Sequence, residues 1–385
     1  MLRYLTAGES HGPALTAILD GIPSNLPVSV EEIDHQLWRR QQGFGRGGRM
    51  KIETDRVDVQ SGIRFGRTMG TPIALLIHNK DWRNWSEKMA IEGNAPDSVV
   101  EITKPRPGHA DLAGALKYNQ EDIRNILERA SARNTATMVA CGAVARQLLH
   151  RFGIDVYSHV VELGPIKVDR LDGTIPEIAE RAERSEVRVA DPEAEAQIIE
   201  AITAAKEAGD TLGGIFEIIV TGVPVGLGSY AMPDRKLDGR LAQALMSIQA
   251  IKGVEIGMGF DAARHPGSLV HDEINHRDDR YHRPTNRAGG IEGGVTNGQP
   301  IIVRAAMKPI PTLYKPLESV DMRTKESYRA TIERSDVCAV PAAAVVGEAM
   351  VAWTLAQAFL EKFGGDSVEE IQDNLDAYLK RVNER

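Results

Sequence analysis

Arginine is concentrated in one short segment of a chain that is acidic as a whole. Residues 39–67 hold seven arginines and one lysine against three acidic residues, whereas all 385 residues carry a formal net charge of -8. The planar guanidinium group binds phosphate and carboxylate groups through paired hydrogen bonds. Arg40 and Arg46 flank glycines at which a backbone can approach a ligand closely, so we predict that both bind an anion. The alternative is a solvated basic loop, which composition alone favours.

Two histidines lie in short segments that are rich in small residues. His11 belongs to the segment GESHG at 8–12, and His109 belongs to RPGHAD at 106–111. An accessible imidazole titrates near neutral pH, so each ring can act as an acid or a base. For each histidine the alternative is a loop residue that makes only structural hydrogen bonds.

A pair of arginines lies four residues apart, at Arg129 and Arg133, with Ser131 between them. In a continuous helix this spacing places both side chains on one face, where they repel each other unless an anion or an acidic group lies between them. Glu128 supplies the alternative, which is a patch of ion pairs on the surface.

Two further segments combine a cation with a hydroxyl or carboxyl group. The segment KPIPT at 308–312 offers an ammonium and a hydroxyl group on a turn stiffened by two prolines, which suits a phosphate site. Arg334 and Asp336 precede the apolar C-terminal helix and can bring a cation and a carboxylate to one site, although helix capping explains the same residues. Cys338 has apolar neighbours, which favours a buried inert thiol over a nucleophile.

Several familiar kinds of site are disfavoured by spacing. Gly43, Gly45 and Gly48 match GxGxxG, but a helix precedes them and no clear helix follows, so a dinucleotide-binding fold is rejected. The sequence has no Walker lysine motif and no GxSxG motif. Three histidines could supply zinc ligands by number, but their spacing fits no HExxH-type helix, so no metal site is predicted. These histidines are His271, His276 and His282.

The composition is that of an ordinary globular protein, with 42% hydrophobic and 26% charged residues. Cys141 and Cys338 are far apart in the chain, which is typical of a protein from a reducing compartment. The N-terminus has no apolar run of signal-peptide length. The apolar stretch 339–360 is interrupted by Glu348 and Gln357 and predicts a buried helix rather than a membrane span. We therefore expect a cytoplasmic protein with no nucleic-acid or membrane partner.

Hydrophobic periodicity predicts a mixture of helices and strands in one compact unit over residues 1–385. Ser29 is predicted to cap the first helix, which runs to Gln42, and Glu32 completes a capping box. The other predicted helices are at 119–152 with a break near 131–135, 192–208, 237–251, 341–363 and 367–382. The predicted strands are at 57–60, 72–77, 154–163, 215–223 and 301–306. The predicted long loops are at 78–109 and 261–300.

From the residues alone, the chain is predicted to be an enzyme that acts on a phosphorylated or carboxylated substrate. Histidine and aspartate would move protons, and arginine would bind the anion, but the type of reaction does not follow from these residues. One alternative is a phosphate-cleaving enzyme without a cofactor, against which the missing P-loop and metal ligands count. Another is an RNA-binding protein that uses the segment 43–49, which the net charge and an aromatic content of 5% disfavour.

A set of segments, taken together and in order, resembles the chorismate synthases. The segments are GESHG at 8–12, RPGHADL at 106–112, ERASAR at 128–133, KPIPT with the glycine-rich tract before it, and RSDVCAVPA at 334–342. The resemblance implies a carbon–oxygen lyase of the shikimate pathway. Its substrate 5-enolpyruvylshikimate-3-phosphate would lose phosphate and one ring proton in an anti-1,4-elimination, which gives chorismate. It also implies the family's α+β fold, a β-α-β sandwich with helices between antiparallel sheets, and a homotetramer.

The resemblance further implies bound FMN, which must be reduced although the reaction has no net redox change. The reductant is left open between NADPH used by the enzyme itself and an external flavin reductase. The absence of a nicotinamide-binding fingerprint favours the external source.

Individual positions match the family's functional residues. His11 and His109 match the histidines that act near the flavin and the phosphate, and Asp336 matches the carboxylate that accepts the ring proton. The positions that match substrate contacts are Ser10, Arg40, Arg46, Arg133 and Arg334, of which Arg40 and Arg46 also match NADP contacts. The positions that match FMN contacts are Arg129, Ala130, Ser131, Gln249, Ala250, Gly293, Lys308, Pro309, Ile310, Pro311, Thr312 and Arg334. Gln249 stands where some members have Asn, and either amide can bond a flavin edge.

Overall fold

The longest apolar segment of the chain forms a helix that is buried on almost all sides. In the computed structural model, which describes residues 1–47, 54–168, 171–277, 280–330 and 336–384, this helix is Val340–Phe363. A helix that is apolar around its whole circumference needs protein contacts on every face. Its length and composition would also suit a membrane span, but 89% of its most apolar stretch is buried inside the protein. It is therefore the core helix that the sequence predicts.

The helices are α1 (Val30–Gln41), α2 (Asp111–Tyr118), α3 (Arg124–Ala130), α4 (Thr135–Arg151), α5 (Ile175–Arg184), α6 (Pro192–Glu207), α7 (Leu237–Met246), α8 (Val340–Phe363) and α9 (Val368–Asn383). Helices α1, α4, α6, α8 and α9 lie where the sequence predicts helices, whereas α2 and α5 were not predicted. The hydroxyl group of Ser29 accepts a hydrogen bond from Glu32 N at 3.1 Å, so the predicted cap of α1 is confirmed. The second bond of the predicted capping box is replaced, because Ser29 N donates to Gln147 Oε1 at 2.7 Å.

Two antiparallel sheets contain the long strands of the described residues. The strands are β1 (Arg3–Ala7), β2 (Ala14–Asp20), β3 (Asp58–Ser61), β4 (Ile63–Arg64), β5 (Arg67–Thr68), β6 (Ile73–His78), β7 (Asp155–Leu163), β8 (Ile166–Lys167), β9 (Gly214–Thr221), β10 (Ile251–Ile256), β11 (Asn275–Arg277), β12 (Arg280–His282), β13 (Ile291–Glu292), β14 (Val295–Thr296), β15 (Ile301–Met307), β16 (Glu318–Val320) and β17 (Ser327–Arg329). The first sheet has the order β1-β2-β6-β3 and the second has the order β10-β15-β9-β7-β8. Helices with antiparallel sheets make the chain an α+β protein, as predicted.

Helices α4 and α8 pack against each other, and each also contacts a sheet. Helix α4 contacts β2 and β6 of the first sheet, and α8 contacts β7 and β9 of the second. One connected cluster of buried apolar side chains includes Leu15 of the first sheet and Phe216 of the second. The two helices approach most closely at Gly142, where an added methyl group would lie 2.4 Å from Ala349 Cβ.

A buried group of charged side chains interrupts this apolar core at Glu348 of α8. Its carboxylate accepts hydrogen bonds from Arg39 of α1 at 2.6 Å, Arg146 of α4 at 2.5 Å and the Ser158 hydroxyl of β7 at 2.6 Å. Burial would raise the pKa of Glu348, but Arg39 and Arg146 hold it well below its ordinary range. The group therefore joins three helices and one strand through a carboxylate that stays ionised.

One predicted helix is too long, because the segment 237–251 contains a helix, a turn and the start of a strand. Helix α7 ends at Met246, and Ala250 adopts a left-handed backbone conformation with φ of 67°. From Ile251 the chain runs as β10 alongside β15. The apolar residues that extend the helical pattern to Ile251 fit a buried strand equally well, which is why periodicity alone misplaced the boundary.

The substitution Gly142→Ala is expected to lower the free energy of unfolding by about 1–3 kcal/mol, because the added methyl group forces α4 and α8 apart. Urea unfolding followed by circular dichroism measures this change. The control is Gly239→Ala in α7, where the nearest atom to the added methyl group is Pro233 O at 4.0 Å. It is expected to be neutral or to stabilise by up to about 1 kcal/mol, since alanine favours the helix. Equal stabilities for the two variants would contradict the close packing.

Candidate active site

Asp55 lies between two of the arginines that the sequence predicts to bind an anion. Arg40 Nη2 donates to Asp55 Oδ2 at 2.6 Å, and Arg133 Nη1 donates to both carboxylate oxygens at 2.6 and 2.7 Å. Burial alone would raise the pKa of Asp55, but Arg40 and Arg133 hold it below its ordinary value. Burial, with Arg133 and Arg46 as neighbouring cations, lowers the pKa of Arg40 to about 10. Two guanidinium groups share one carboxylate, so positive charge is in excess.

Asn79 connects this arginine cluster to the GESHG loop at 8–12. Its Oδ1 accepts a hydrogen bond from Arg133 Nε at 3.0 Å, and its Nδ2 donates to two carbonyl groups of the loop at 3.1 and 2.8 Å. Ser131 Oγ donates to Ser10 Oγ of the same loop at 3.1 Å. The structure therefore brings together predicted substrate residues from three distant parts of the chain.

His11 is held by a buried carboxylate group. Glu128 Oε2 accepts a hydrogen bond from the backbone N of His11 at 2.8 Å, and both carboxylate oxygens lie 3.0 Å from His11 Nδ1. The imidazole stacks on Trp85, with ring centroids 3.9 Å apart and an interplanar angle of 29°. Glu128 is only 1% exposed. It is therefore not part of a surface patch of ion pairs, and that alternative is wrong.

Arg129 and Arg133 do not share a helical face, because the helix is not continuous between them, which confirms the predicted break near 131–135. The helix breaks at Ser131, which has an extended backbone and whose hydroxyl group accepts a hydrogen bond from Arg133 N at 3.2 Å. Arg129 donates to the carbonyl groups of Thr6 and Gly8 at 2.9 and 3.1 Å. The short cap at Ser131 thus separates the two arginines, so that Arg133 enters the arginine cluster and Arg129 supports the end of β1.

His109 has an environment similar to that of His11. Its Nδ1 is paired with the carboxylate of Asp111, which also accepts hydrogen bonds from Arg106 N at 3.0 Å and Arg106 Nε at 2.8 Å. Arg106 and His109 together hold the pKa of Asp111 below its ordinary range, although burial opposes this. Lys308 Nζ donates to the carbonyl group of Gly108 at 2.5 Å, so the RPGHAD and KPIPT segments are in contact.

Asp336 is paired with Arg46. Arg46 Nη1 lies 3.0 Å from Asp336 Oδ2, and Gly47 N donates to Asp336 Oδ1 at 2.5 Å. Both side chains of the pair retain some exposure, 11% for Arg46 and 21% for Asp336, so a ligand can reach them. Cys338 is fully buried, and burial raises its pKa to about 11. The prediction of an inert thiol is confirmed.

Hydrogen bonds with backbone acceptors join the segment after Asp336 to two other parts of the site. Val337 N donates to the Gly45 carbonyl at 2.9 Å, and Leu212 N donates to the Val337 carbonyl at 3.0 Å. The hydroxyl group of Thr211 donates to the carbonyl of Ile310 at 2.8 Å. The KPIPT segment, the glycine-rich segment and the segment after Asp336 are therefore linked to each other.

The remaining predicted cofactor positions are only partly brought together. Lys308 N donates to the Ala250 carbonyl at 2.9 Å. Gln249 Oε1 is buried and has no hydrogen-bond partner among the described residues, so it can accept one from a ligand. Gly293 lies in the β13–β14 hairpin, where the neighbouring Gly294 carbonyl accepts a hydrogen bond from Leu237 N at the start of α7. Arg334 lies outside the described residues. The other positions are Ala130 at the end of α3, and Pro309, Pro311 and Thr312 after β15.

Metal ligation was considered above for three histidines of the segment 271–282. Within the described ranges, no group of three His, Cys, Asp or Glu side chains is arranged to hold a metal ion. The charged side chains of the site pair with each other instead.

Comparison with known proteins places this geometry in a family. The chain matches the family model described as chorismate synthase over residues 2–360. A chorismate synthase of Geobacter metallireducens is 60% identical over 387 residues, which cover 98% of each chain. One of Aquifex aeolicus is 58% identical and covers 99% of this chain and 98% of its own. A solved chorismate synthase structure superposes with a TM-score of 0.81 at 46% identity, over 100% of this chain and 99% of that chain. The chain belongs to the chorismate synthase family.

As a member of the chorismate synthase family, the chain is a carbon–oxygen lyase of the shikimate pathway, in agreement with the resemblance found in the sequence.

Four side chains that organise this chorismate synthase site were missed by the sequence reasoning. Asp55, Asn79 and Trp85 lie in or next to segments predicted as irregular, and Glu128 was given a surface role. The available signal was the excess of arginine, because buried guanidinium groups require buried carboxylates nearby. The excess of arginine indicates that a buried carboxylate partner exists, but it does not identify the acidic residue.

Removal of the shared carboxylate is expected to destabilise the fold. Asp55→Ala should lower the free energy of unfolding by about 3–5 kcal/mol at pH 7, since it leaves two buried cations unpaired. Because the pKa of folded Asp55 is depressed, its contribution is present above about pH 4 and is lost as the pH falls below that value. The difference from the unaltered chain should therefore shrink towards acid in urea unfolding experiments.

The matched control is Asp58→Ala, which removes a half-exposed carboxylate 3.7 Å from His78. It is expected to change stability by less than about 1 kcal/mol. A loss for Asp55→Ala no larger than that of the control would contradict the structural role of the shared carboxylate.

Proposed function

We propose that this chain converts 5-enolpyruvylshikimate-3-phosphate to chorismate by an anti-1,4-elimination, the seventh step of the shikimate pathway. The C–O bond to phosphate breaks, a ring proton leaves, and a second ring double bond forms. The observation that carries this assignment is that Arg40 and Arg133 share Asp55, while Asn79 joins Arg133 to the loop 8–12 that carries His11. A proton donor and an excess of cations in one place are what this elimination requires.

The arginines bind the three anionic groups of the substrate, which are two carboxylates and a phosphate. Asp55 is fully buried, so it stays with Arg40 and Arg133 and holds their guanidinium groups ready for the ligand. The pair of Arg46 and Asp336 is partly exposed and can exchange. When Arg46 turns to the substrate, the Asp336 carboxylate is proposed to accept the ring proton. Arg334, whose family role is substrate contact, is assigned to the same anion site.

Proton donation is assigned to the two histidines. His11 lies beside Ser10, whose hydroxyl group accepts a hydrogen bond from the Ser131 hydroxyl. The proposed proton donor is therefore next to two hydroxyl groups. His11 gives a proton to the departing phosphate or to the flavin. His109 lies in a segment that contacts the KPIPT segment. It is proposed as a second proton donor, near the flavin.

The residues present fit FMN. The buried Oε1 of Gln249, without a partner among the described residues, suits an N–H donor of a flavin ring. Lys308 and Arg129 supply cations, and Ala130, Ser131, Ala250, Gly293 and residues 309–312 complete the proposed set with Arg334. Reduced FMN, when held by these residues, would supply a transient electron for the loss of phosphate, with no net redox change. Arg40 and Arg46 are proposed to contact NADPH where it serves as reductant, and an external flavin reductase is the other source.

The proposed assembly is a cytoplasmic homotetramer of single-domain chains with a β-α-β sandwich. The contacts of α4 with the first sheet and α8 with the second support the sandwich. Leu5 is 75% exposed and its cross-strand partner Ile18 is 47% exposed, which gives the first sheet an apolar surface suited to another copy of the chain.

Anaerobic turnover tests the function. The protein is mixed with FMN, reduced with dithionite, and given 5-enolpyruvylshikimate-3-phosphate while phosphate and chorismate are measured. Stoichiometric release of both products only with reduced FMN is expected. Phosphate release without flavin would instead support a phosphate-cleaving enzyme. A parallel assay in air with NADPH and free FMN, without added reductase, decides whether the chain reduces its own flavin.

The substitutions His11→Ala and His109→Ala are each expected to lower kcat by about 10²–10⁴-fold, because proton transfer contributes that much to a typical reaction. Binding of FMN, followed by flavin fluorescence, should be retained. The control is His78→Ala, since His78 has a side chain that is 65% exposed and lies at the end of β6. Turnover like that of the control would show that the two candidate histidines have only structural roles.

The substitution Arg40→Ala is expected to raise KM for the substrate by at least tenfold, since a guanidinium group that binds an anion is lost. The rise should be larger at low ionic strength, where charge interactions are least screened. Steady-state kinetics at two salt concentrations measure both effects. The exposed Arg64 provides the control Arg64→Ala. A salt dependence of KM that matches the control would argue against an anion contact at Arg40.

A further inference from the structure

Two histidines of the candidate site are held in the same way, each through Nδ1 by a buried carboxylate. Glu128 faces His11, and Asp111 faces His109, and each carboxylate is 1% exposed. Asp111 also accepts two bonds from Arg106, so its removal would disturb the fold around α2. Glu128 is the cleaner case, because most of its hydrogen bonds go to His11.

The carboxylate of Glu128 determines which nitrogen of His11 carries the proton. Burial would raise the pKa of Glu128, but hydrogen bonds from His11 and the charge of Arg124 hold it below its ordinary value. The group is therefore ionised and can only accept hydrogen bonds. Both of its oxygens lie 3.0 Å from Nδ1, so Nδ1 must be the protonated nitrogen of the neutral ring.

The orientation of the ring is fixed by three further contacts. Glu128 Oε2 accepts from the backbone N of His11 at 2.8 Å, and the carbonyl group of Glu128 accepts from Ser10 N at 3.0 Å. The Trp85 ring covers one face of the imidazole at 3.9 Å between centroids. Arg124 lies over the same indole, 5.1 Å from its centroid, and pairs with Glu128 at 3.4 Å. The last turn of α3 and the Trp85 loop together therefore hold the histidine in one position.

The consequence concerns the other ring nitrogen. Among the described residues, Nε2 of His11 has no hydrogen bond to protein, whereas Nδ1 is committed to Glu128. A proton donated to a ligand must then leave from Nε2, and Nδ1 keeps its own proton throughout. A ring free to choose its tautomer would be in the wrong form for part of the time.

We propose that Glu128 is a positioning residue, which fixes the Nδ1–H tautomer and the orientation of His11 so that Nε2 exchanges the proton during the elimination. This inference rests on the proposed role of His11 as a proton donor. Glu128 acts through the histidine and does not itself contact the substrate.

The test is a double-mutant cycle in kcat with Glu128→Gln and His11→Ala. Glutamine has the same shape as glutamate, but its amide group can donate to Nδ1 and so allows the opposite tautomer. Glu128→Gln is expected to lower kcat by about 10²-fold with KM changed less than about threefold. Adding Glu128→Gln to His11→Ala should cause no further loss, because a positioning residue has nothing left to position. Glu128→Asp, which keeps the carboxylate, should retain more activity than Glu128→Gln.

Glu121→Gln is the control for loss of a negative charge. Glu121 lies shortly before α3 and its side chain is 84% exposed, so wild-type kinetics are expected. Thermal unfolding and FMN fluorescence of each variant show whether the fold and the flavin site are retained. If Glu128→Gln does not fold, the same cycle is run with Glu128→Ala, which also removes the carboxylate.

Three results would overturn the inference, and they separate it from the proposed function. Wild-type kcat in Glu128→Gln together with an inactive His11→Ala would refute the positioning role alone. Additive losses in the double variant would show that Glu128 acts independently of His11. Wild-type kcat in His11→Ala would refute both the donor role of the histidine and the positioning role that depends on it.

Discussion

Two neighbouring arginines of α1 each need a buried carboxylate, and this requirement joins the core to the candidate site. Arg39 pairs with Glu348 in the middle of α8, whereas Arg40 pairs with Asp55 beside Arg133. A guanidinium group removed from water without an anionic partner costs several kcal/mol, so neither arginine can be buried alone. Because successive residues of a helix point in different directions, α1 must lie between the two carboxylates. The position of the anion site is thus set by the same contacts that set the core.

The two kinds of ion pair in the site differ in how easily an arginine can leave its carboxylate partner for another anion. Asp55 is inaccessible and bonded to two arginines, so it acts as a fixed counter-charge that orders the guanidinium groups before a ligand arrives. Arg46 and Asp336 are partly accessible, and a trianionic ligand can compete for the arginine. Since exposed pairs are worth little and buried pairs are costly to break, ligand binding should rearrange the second pair and leave the first intact.

The sequence allowed most helices, the longer strands after residue 57 and the main functional segments to be predicted, because these depend on local pattern and composition. Ser29 and the apolar run in α8 are examples in which one segment contains all the information needed. The carboxylate partners could not be predicted in the same way. Asp55 and Glu128 look like ordinary surface residues until the fold places them beside Arg133 and His11, respectively. Arg129 and Arg133 do not share a helical face, since the hydroxyl cap at Ser131 breaks the helix between them, where the sequence predicts a break.

Many functional groups of the site lie on loops, yet these loops are tied to each other and to the core by hydrogen bonds to backbone carbonyl groups. Val337 N donates to the Gly45 carbonyl, Leu212 N donates to the Val337 carbonyl, and Lys308 N donates to the Ala250 carbonyl. Bonds between main-chain atoms do not depend on side-chain identity, so they can hold irregular segments in place while the side chains serve the ligand. Backbone bonds do not fix the imidazole rings of His11 and His109, so a buried carboxylate holds each ring instead. The loops of this site are therefore positioned by backbone hydrogen bonds, and the rings of the two histidines proposed as proton donors are positioned by buried carboxylates.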